Sequence, residues 1–278
     1  MIKILIDSSA DLTKEEIEQR NVTMIPIQIS LNEHHYLDGV NIDHDTFYQL
    51  LTTTNEFPKT SQPSPQEFVE AFEKAKEAND DLICIILSSA VSGTFQSAKL
   101  AKAIVEYDRI HLIDSLTAVS AIRILCDHAL SMIKQNASVE EIVDSLNDLK
   151  GRIKIFAALN TLDYLAKGGR ISKTAATIGE LTNIKPIVTV SQEGKVEIAG
   201  KRLGINKSIS FIKEKMAEFD IDLNYPIYPL YSYGQENLNK LCQKLNDSYP
   251  LAQALQIGPT IGAHIGTEAF GICFVSKN

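Results

Sequence analysis

Ile2-Lys3-Ile4-Leu5-Ile6-Asp7-Ser8-Ser9-Ala10-Asp11-Leu12-Thr13 is the stretch that decides the fold. It begins with a run of strand length, rich in β-branched isoleucine. Thr13, with Glu16 three positions on, then has the spacing of a capping box, in which a hydroxyl and a carboxylate satisfy the first free amides of a helix. Strand, polar loop and capped helix in that order are the first parts of a βα unit. The same grammar recurs outward along the chain. Strands are expected over Val22 to Ile29, Leu82 to Leu87 and Ile110 to Ile113, while Ser64-Pro65 with Glu67, and Ser138 with Glu141, mark two more helix starts. Such alternation predicts a largely parallel sheet with helices on its faces.

After Ile153 to Ala158 the texture changes. Ile187 to Val190 and Val196 to Ala199 flank Gln192-Glu193-Gly194-Lys195, which reads as a hairpin and therefore as antiparallel pairing. Ile227 to Tyr231 and Phe270 to Val275 enclose a helical segment from Gln235 to Leu245. The expected class is α/β in two domains, an N-terminal largely parallel βα domain over 1–152 and a C-terminal mixed α/β domain with antiparallel pairing over 153–278. The 278 residues suit that division at about 150 per domain.

Composition narrows the function classes. Hydrophobic residues at 44% and charged residues at 22% are ordinary globular usage, which excludes disordered, collagen-like and coiled-coil chains. Acidic residues outnumber basic ones by 35 to 27 without a Lys/Arg cluster, so a nucleic-acid backbone would be repelled. Cys84, Cys126, Cys242 and Cys273 lie too far apart for any CxxC or zinc-knuckle spacing and read as buried thiols in a reducing compartment. The opening apolar run is far shorter than a signal h-region, and the longest one, Leu82 to Leu87, is far short of a membrane span. A cytoplasmic protein without an integral membrane segment is expected.

Four loops gather Gly, Ser, Thr or Pro where strands end or helices begin. Asp7-Ser8-Ser9-Ala10-Asp11 follows the first strand, the place where open α/β sheets bind ligands, although Ser and Asp also serve simple capping. Phe57-Pro58-Lys59-Thr60-Ser61-Gln62-Pro63-Ser64-Pro65 puts the Thr60 and Ser61 hydroxyls on a proline-stiffened support, or is only a tight connector. Ser88-Ser89-Ala90-Val91-Ser92-Gly93-Thr94 opens a helix near Phe95, whose free amides and the Ser92 hydroxyl would suit an anion. It is neither a Walker A loop nor GxGxxG, so ATP and dinucleotides lose support. Gly258-Pro259-Thr260-Ile261-Gly262-Ala263-His264-Ile265-Gly266 needs close backbone approach or positive φ and carries one histidine, which is a catalyst or a satisfied core residue. Lys167-Gly168-Gly169-Arg170 adds a guanidinium on a glycine turn, which an ordinary helix C-cap would also explain. His34 and His35 are adjacent and the other histidines scattered, so no metal set emerges, and GxSxG is absent. The residues themselves stop at a small-ligand site among hydroxyl loops, suited to an anion.

Together, Asp7-Ser8-Ser9-Ala10-Asp11-Leu12, Thr60 to Pro65, Ser88 to Thr94, Leu165-Ala166-Lys167-Gly168-Gly169-Arg170-Ile171 and Gly258 to Gly266 resemble the DegV family in order and spacing, over nearly the whole chain. The resemblance implies a two-domain α/β protein holding a long-chain fatty acid in a tunnel between the domains. It further implies the fatty-acid-binding subunit of a bacterial fatty acid kinase, a non-catalytic carrier without cofactor that presents the carboxylate for phosphorylation and carries the acyl phosphate. By it, Thr60 and Ser92 are the hydroxyls on the carboxylate and His264 supports them. Arg170, Ser61, Gly93, Thr94 and Gly262 lie near the ligand or a docked ATP-binding kinase subunit. This chain departs from the family at Thr267-Glu268, where Pro-Gly is common, and at Arg123, on a helix that often carries glycines. Two rivals remain: a hydrolase or phosphotransferase with Ser92 as nucleophile and His264 as base, and a phosphate or phosphosugar sensor at the helix start after Gly93.

Overall fold

The computed structural model describes residues 1–172 and 183–277. Its first sheet is four-stranded and wholly parallel, in the order β2-β1-β6-β7. Strands β1 (Ile2–Asp7) and β6 (Asp81–Ile86) are largely apolar and buried on both faces, as a parallel sheet requires, while the edge strand β7 (Ile110–Asp114) buries Ile110 and Ile113 and is otherwise half-buried. The capping boxes at Thr13, Ser64 and Ser138 all form and start α1 (Lys14–Arg20), α3 (Pro65–Glu77) and α6 (Val139–Arg152).

One expected strand is two. Val22 to Ile29 breaks at Pro26, which has no N–H for a ladder, into β2 (Thr23–Ile25) and β3 (Gln28–Leu31). β2 stays on the parallel sheet. β3 turns away into a three-stranded antiparallel sheet with β4 (His34–Leu37) and β5 (Lys59–Ser61). The Phe57 to Pro65 loop therefore contains a strand, and Thr60 is held by its pairing with Ile29 as well as by prolines. Between β4 and β5 runs α2 (His44–Thr53), which buries Phe47, Tyr48 and Leu51.

The second sheet is six-stranded and mostly antiparallel, in the order β10-β9-β8-β13-β11-β12. β8 (Ile153–Ala158) lies beside β13 (Phe270–Val275), and the hairpin expected around Gly194 joins β9 (Ile184–Val190) to β10 (Val196–Leu203). β11 (Tyr228–Tyr231) and the short β12 (Leu255–Gln256) complete it. Its outer face is packed by α8 (Gly204–Met216) and α9 (Glu236–Leu245), through Ile209, Ile212, Leu238 and Leu241. The other face shares one hydrophobic cluster with the parallel sheet, in which Ile4, Ile6 and Ile85 join Ile155, Val188 and Cys273 across α5 (Ser120–Lys134). No described helix is long and apolar enough to cross a membrane.

Candidate functional site

In the parallel sheet the connection leaving β1 runs to β2 on one side while that leaving β6 runs to β7 on the other, so the two diverge between β1 and β6. That reversal opens a crevice beyond the carboxyl ends of the two strands. Asp7, the last residue of β1, is buried there and ties the two ends together, accepting from Leu87 N at 2.7 Å, Ser9 N at 3.0 Å and Ser9 Oγ at 2.5 Å. Burial raises its carboxyl above the usual range and these bonds oppose the rise. The hydroxyl-rich loop read from the sequence thus sits at the crevice, with Asp7 bracing its floor.

Above it lies a cavity of about 400 Å³ between the first and second sheets. One end is polar and receives Thr60, Ser61, Gln62, Ser92, Gly93, Arg170 and His264. Apart from Thr189 and Thr260 the remaining wall is aliphatic, from Ile27 and Leu87 on one side to Ile155, Val188, Val190 and Leu230 on the other. Most of the expected site residues are therefore brought together, though their chain positions span two hundred residues.

Thr60 Oγ1 and His264 Nε2 lie 2.8 Å apart. His264 is carried by α10 (Pro259–Ile265) and is nearly buried, and its Nδ1 has no hydrogen-bond partner. Burial first, and the neighbouring Arg170 second, push its pKa down to about 4, so the ring is neutral near pH 7. A buried bare nitrogen is cheaper than a buried unpaired N–H, so the single proton is assigned to Nε2. His264 then donates to Thr60, which leaves the Thr60 O–H free to donate into the cavity. Gly168 makes room for the ring: a Cβ there would stand 2.3 Å from Nδ1.

Ser92 Oγ lies 2.8 Å from Thr94 Oγ1 and also accepts from Thr94 N at 3.3 Å. Thr94 stands behind Ser92, as the first residue of α4 (Thr94–Val105), and does not line the cavity. Gly262 also lies off it, with its Cα turned to Phe47 and Tyr48, where a Cβ would meet Tyr48 Oη at 2.5 Å. Arg170 donates from Nε to Val91 O at 3.0 Å and from Nη1 to Gly168 O, so it braces the serine loop against α7 (Asp163–Lys167) at the rim. Gln62 was not singled out from the sequence. Its side chain lies over Gly93, where a Cβ would overlap it at 1.5 Å, and donates to Ser97 Oγ at 3.0 Å.

The two departures from the family pattern resolve differently. Arg123 turns from the cavity and pairs with Glu16, donating also to Asp11 O at 2.9 Å. The loop before it carries Leu116 and Val119 at φ of 51° and 52°, positions that glycine would take without strain, and Val119 lines the cavity. Glu268 likewise takes φ of 64° beyond Gly266. Among the described residues no group of His, Cys, Asp or Glu could hold a metal ion.

With this geometry in view, comparison with known proteins decides the lineage. The model of the DegV family, described as an uncharacterised protein family, matches residues 1–277. The chain belongs to the DegV family. A DegV domain-containing protein of Caldanaerobacter subterraneus is 34% identical over 99% of both chains. The crystal structure of DegV from Bacillus subtilis, described as a fatty acid binding protein, is 31% identical and superposes with a TM-score of 0.86 over 99% of both chains. A protein from Eubacterium ventriosum, described as binding stearic acid, is 28% identical with a TM-score of 0.86, covering 100% of this chain and 99% of that one. The DegV fold, with a parallel sheet followed by a mixed one, is therefore shared over the full described length.

Proposed function

We propose that this DegV-family chain binds one long-chain fatty acid in the cavity, between an N-terminal domain of residues 1–152 and a C-terminal domain of 153–278. The carboxylate lies among Thr60, Ser92 and His264. The observation that carries this reading is a cavity with a cluster of hydroxyl and imidazole groups in an otherwise mostly aliphatic wall. Its volume is that of a site for a single small ligand. An acyl chain with about 15 buried carbons gains roughly 12 kcal/mol gross at ~0.8 kcal/mol each, before ordering and association costs. The polar end fixes direction, because a carboxylate buried without donors is prohibitive. The descriptions of the Bacillus subtilis and Eubacterium ventriosum proteins support the same ligand.

The chain acts in this reading as a carrier without catalysis of its own, presenting the carboxylate to a fatty acid kinase and carrying the acyl phosphate onward. Pairing of His264 with Thr60 favours holding over hydrolysis, since a Ser92 nucleophile would need that imidazole beside it. A phosphate sensor is disfavoured because Gln62 covers Gly93 at the helix start. Arg170 stands at the rim, where the cavity adjoins a surface groove that also holds Lys195, and a cation there would face phosphoryl charge.

Ser92→Ala and Thr60→Val should each weaken fatty acid binding by about 1.5 to 3 kcal/mol, the scale of one bond to a charged group, with little change in melting temperature for Ser92→Ala and a lower one for Thr60→Val, which also strips the buried His264 Nε2–H of its acceptor. Titration calorimetry beside thermal denaturation reads both quantities. Unchanged affinity in both variants would remove the carboxylate from this end of the cavity.

A further inference from the structure

α10 begins without a capping side chain, because its N-cap is Gly258. The acceptor comes from far away in sequence. Asp38, buried in the turn after β4, accepts at Oδ2 from Thr260 N at 3.1 Å and from Thr260 Oγ1. Thr260 occupies the first turn of α10, lines the cavity, and precedes His264 by four residues, one turn of helix. Ser8 Oγ stands 3.3 Å from Thr260 Oγ1 and accepts from Ile27 N at 3.1 Å, which fixes the same corner to the loop after β1. A helix of seven residues has too few internal bonds to hold its own position, so its orientation depends on such outside contacts.

We infer that Asp38 is a positioning residue for the ligand head group: by capping α10 through Thr260 it sets where His264 meets Thr60. This rests on the fatty-acid reading for its ligand but not for its geometry. Its surroundings are unusually acidic. Asp7 and Asp11 face it from the end of β1 and the loop beyond, and Tyr48 faces it from α2. Arg123 of α5 and His44 of α2 reach the Asp11 side of the cluster, with Glu16 of α1 bound to Arg123. Asp11 Oδ1 is buried without a hydrogen-bond partner. Burial raises Asp38 to about 6 against the bonds from Thr260 and Ser8, so its charge, and the strength of the cap, change near that pH. His264, with its own pKa near 4, should sense the change indirectly.

The test uses the full chain. In ligand-free protein the His264 ring nitrogens, followed by ¹⁵N NMR, should show an inflection near pH 6 that is absent in Asp38→Asn, an isostere that keeps an acceptor for Thr260 but does not ionise. Fatty acid affinity at pH 7.5, measured with palmitate, should fall about 2- to 30-fold in Asp38→Ala, the range that loss of a helix cap produces, and by less than threefold in Asp38→Asn. If Asp38→Ala does not fold, Thr260→Val, which removes the hydroxyl donor alone, should lower affinity and shift the His264 resonances in the same direction. Wild-type His264 signals without an inflection near pH 6, or a folded Asp38→Ala or Thr260→Val with unchanged His264 signals and affinity, would overturn the inference. Wild-type protein that binds no palmitate would instead overturn the ligand reading, while the His264 signals would still decide the role of Asp38.

Discussion

At the scale of single residues, His264 and Asp38 pull stability in opposite directions over nearly the same pH range. His264 titrates near 4 in the fold and near 6.5 when unfolded, so the unfolded chain binds the proton first and stability is lost as pH falls through that window. Asp38 titrates near 6 in the fold against 3.8 for an ordinary carboxyl, so the folded chain binds the proton first and stability is gained as pH falls from 6 to 4. Each contributes on the order of 3 kcal/mol across its window, and the two largely cancel. Single variants should unmask them. Relative to wild type, His264→Gln should gain stability between pH 6.5 and 4, and Asp38→Asn should lose it, as read from urea midpoints at pH 7, 5.5 and 4. Parallel pH profiles for the wild type and both variants would contradict the assigned ionisation states. His264 was legible in the sequence through its glycine-rich setting and the family resemblance. Asp38 was not, because its partner Thr260 lies 222 positions away and nothing local to either residue marks the pairing.

At the scale of elements, what was legible was local. The three capping boxes and the Gly194 hairpin depend on residues within a few positions, and all four form. The split at Pro26 was visible in principle, since a proline has no ladder N–H to give, but the alternative sheet that receives β3 needs β4 and β5, whose apolar pattern is weak. Glycine-rich turns show a similar limit. The motif signals close approach but does not say to what, and Gly262 proves to meet α2 while Gly168 meets His264. Two glycine substitutions separate the cases. Gly168→Ala should force His264 aside and lower fatty acid affinity by about tenfold or more, with a destabilisation of about 1 to 3 kcal/mol from overpacking. Gly151→Ala, in α6 with open space around its Cα, should leave binding unchanged and raise stability by about 0.5 to 1 kcal/mol. Binding isotherms and denaturant titrations of the two proteins check both statements, and equal behaviour would deny Gly168 its role in placing the His264 ring.

At the scale of the whole molecule, the cavity is where the two sheets meet. The turn between β9 and β10 is tied to the serine loop by Ser88 Oγ, which donates to Gly194 O at 2.8 Å, and Arg170 fastens the same loop to the α7 turn. A ligand filling the space adds apolar contacts to both sheets at once, so it should stabilise the fold as a unit. Saturating fatty acid at about 100 times its dissociation constant should add roughly 2.7 kcal/mol to unfolding, seen as one cooperative transition at higher temperature. The fold class was accessible from the order of strand and helix patterns because βα units and hairpins are short-range objects. The cavity was not, since its wall is assembled from sheet faces whose mutual placement no local pattern encodes. The most direct measurement is mass spectrometry of the organic extract from the purified, denatured protein. The expected result is about one long-chain fatty acid per chain, and protein that yields none and takes up no added fatty acid would contradict the proposed function.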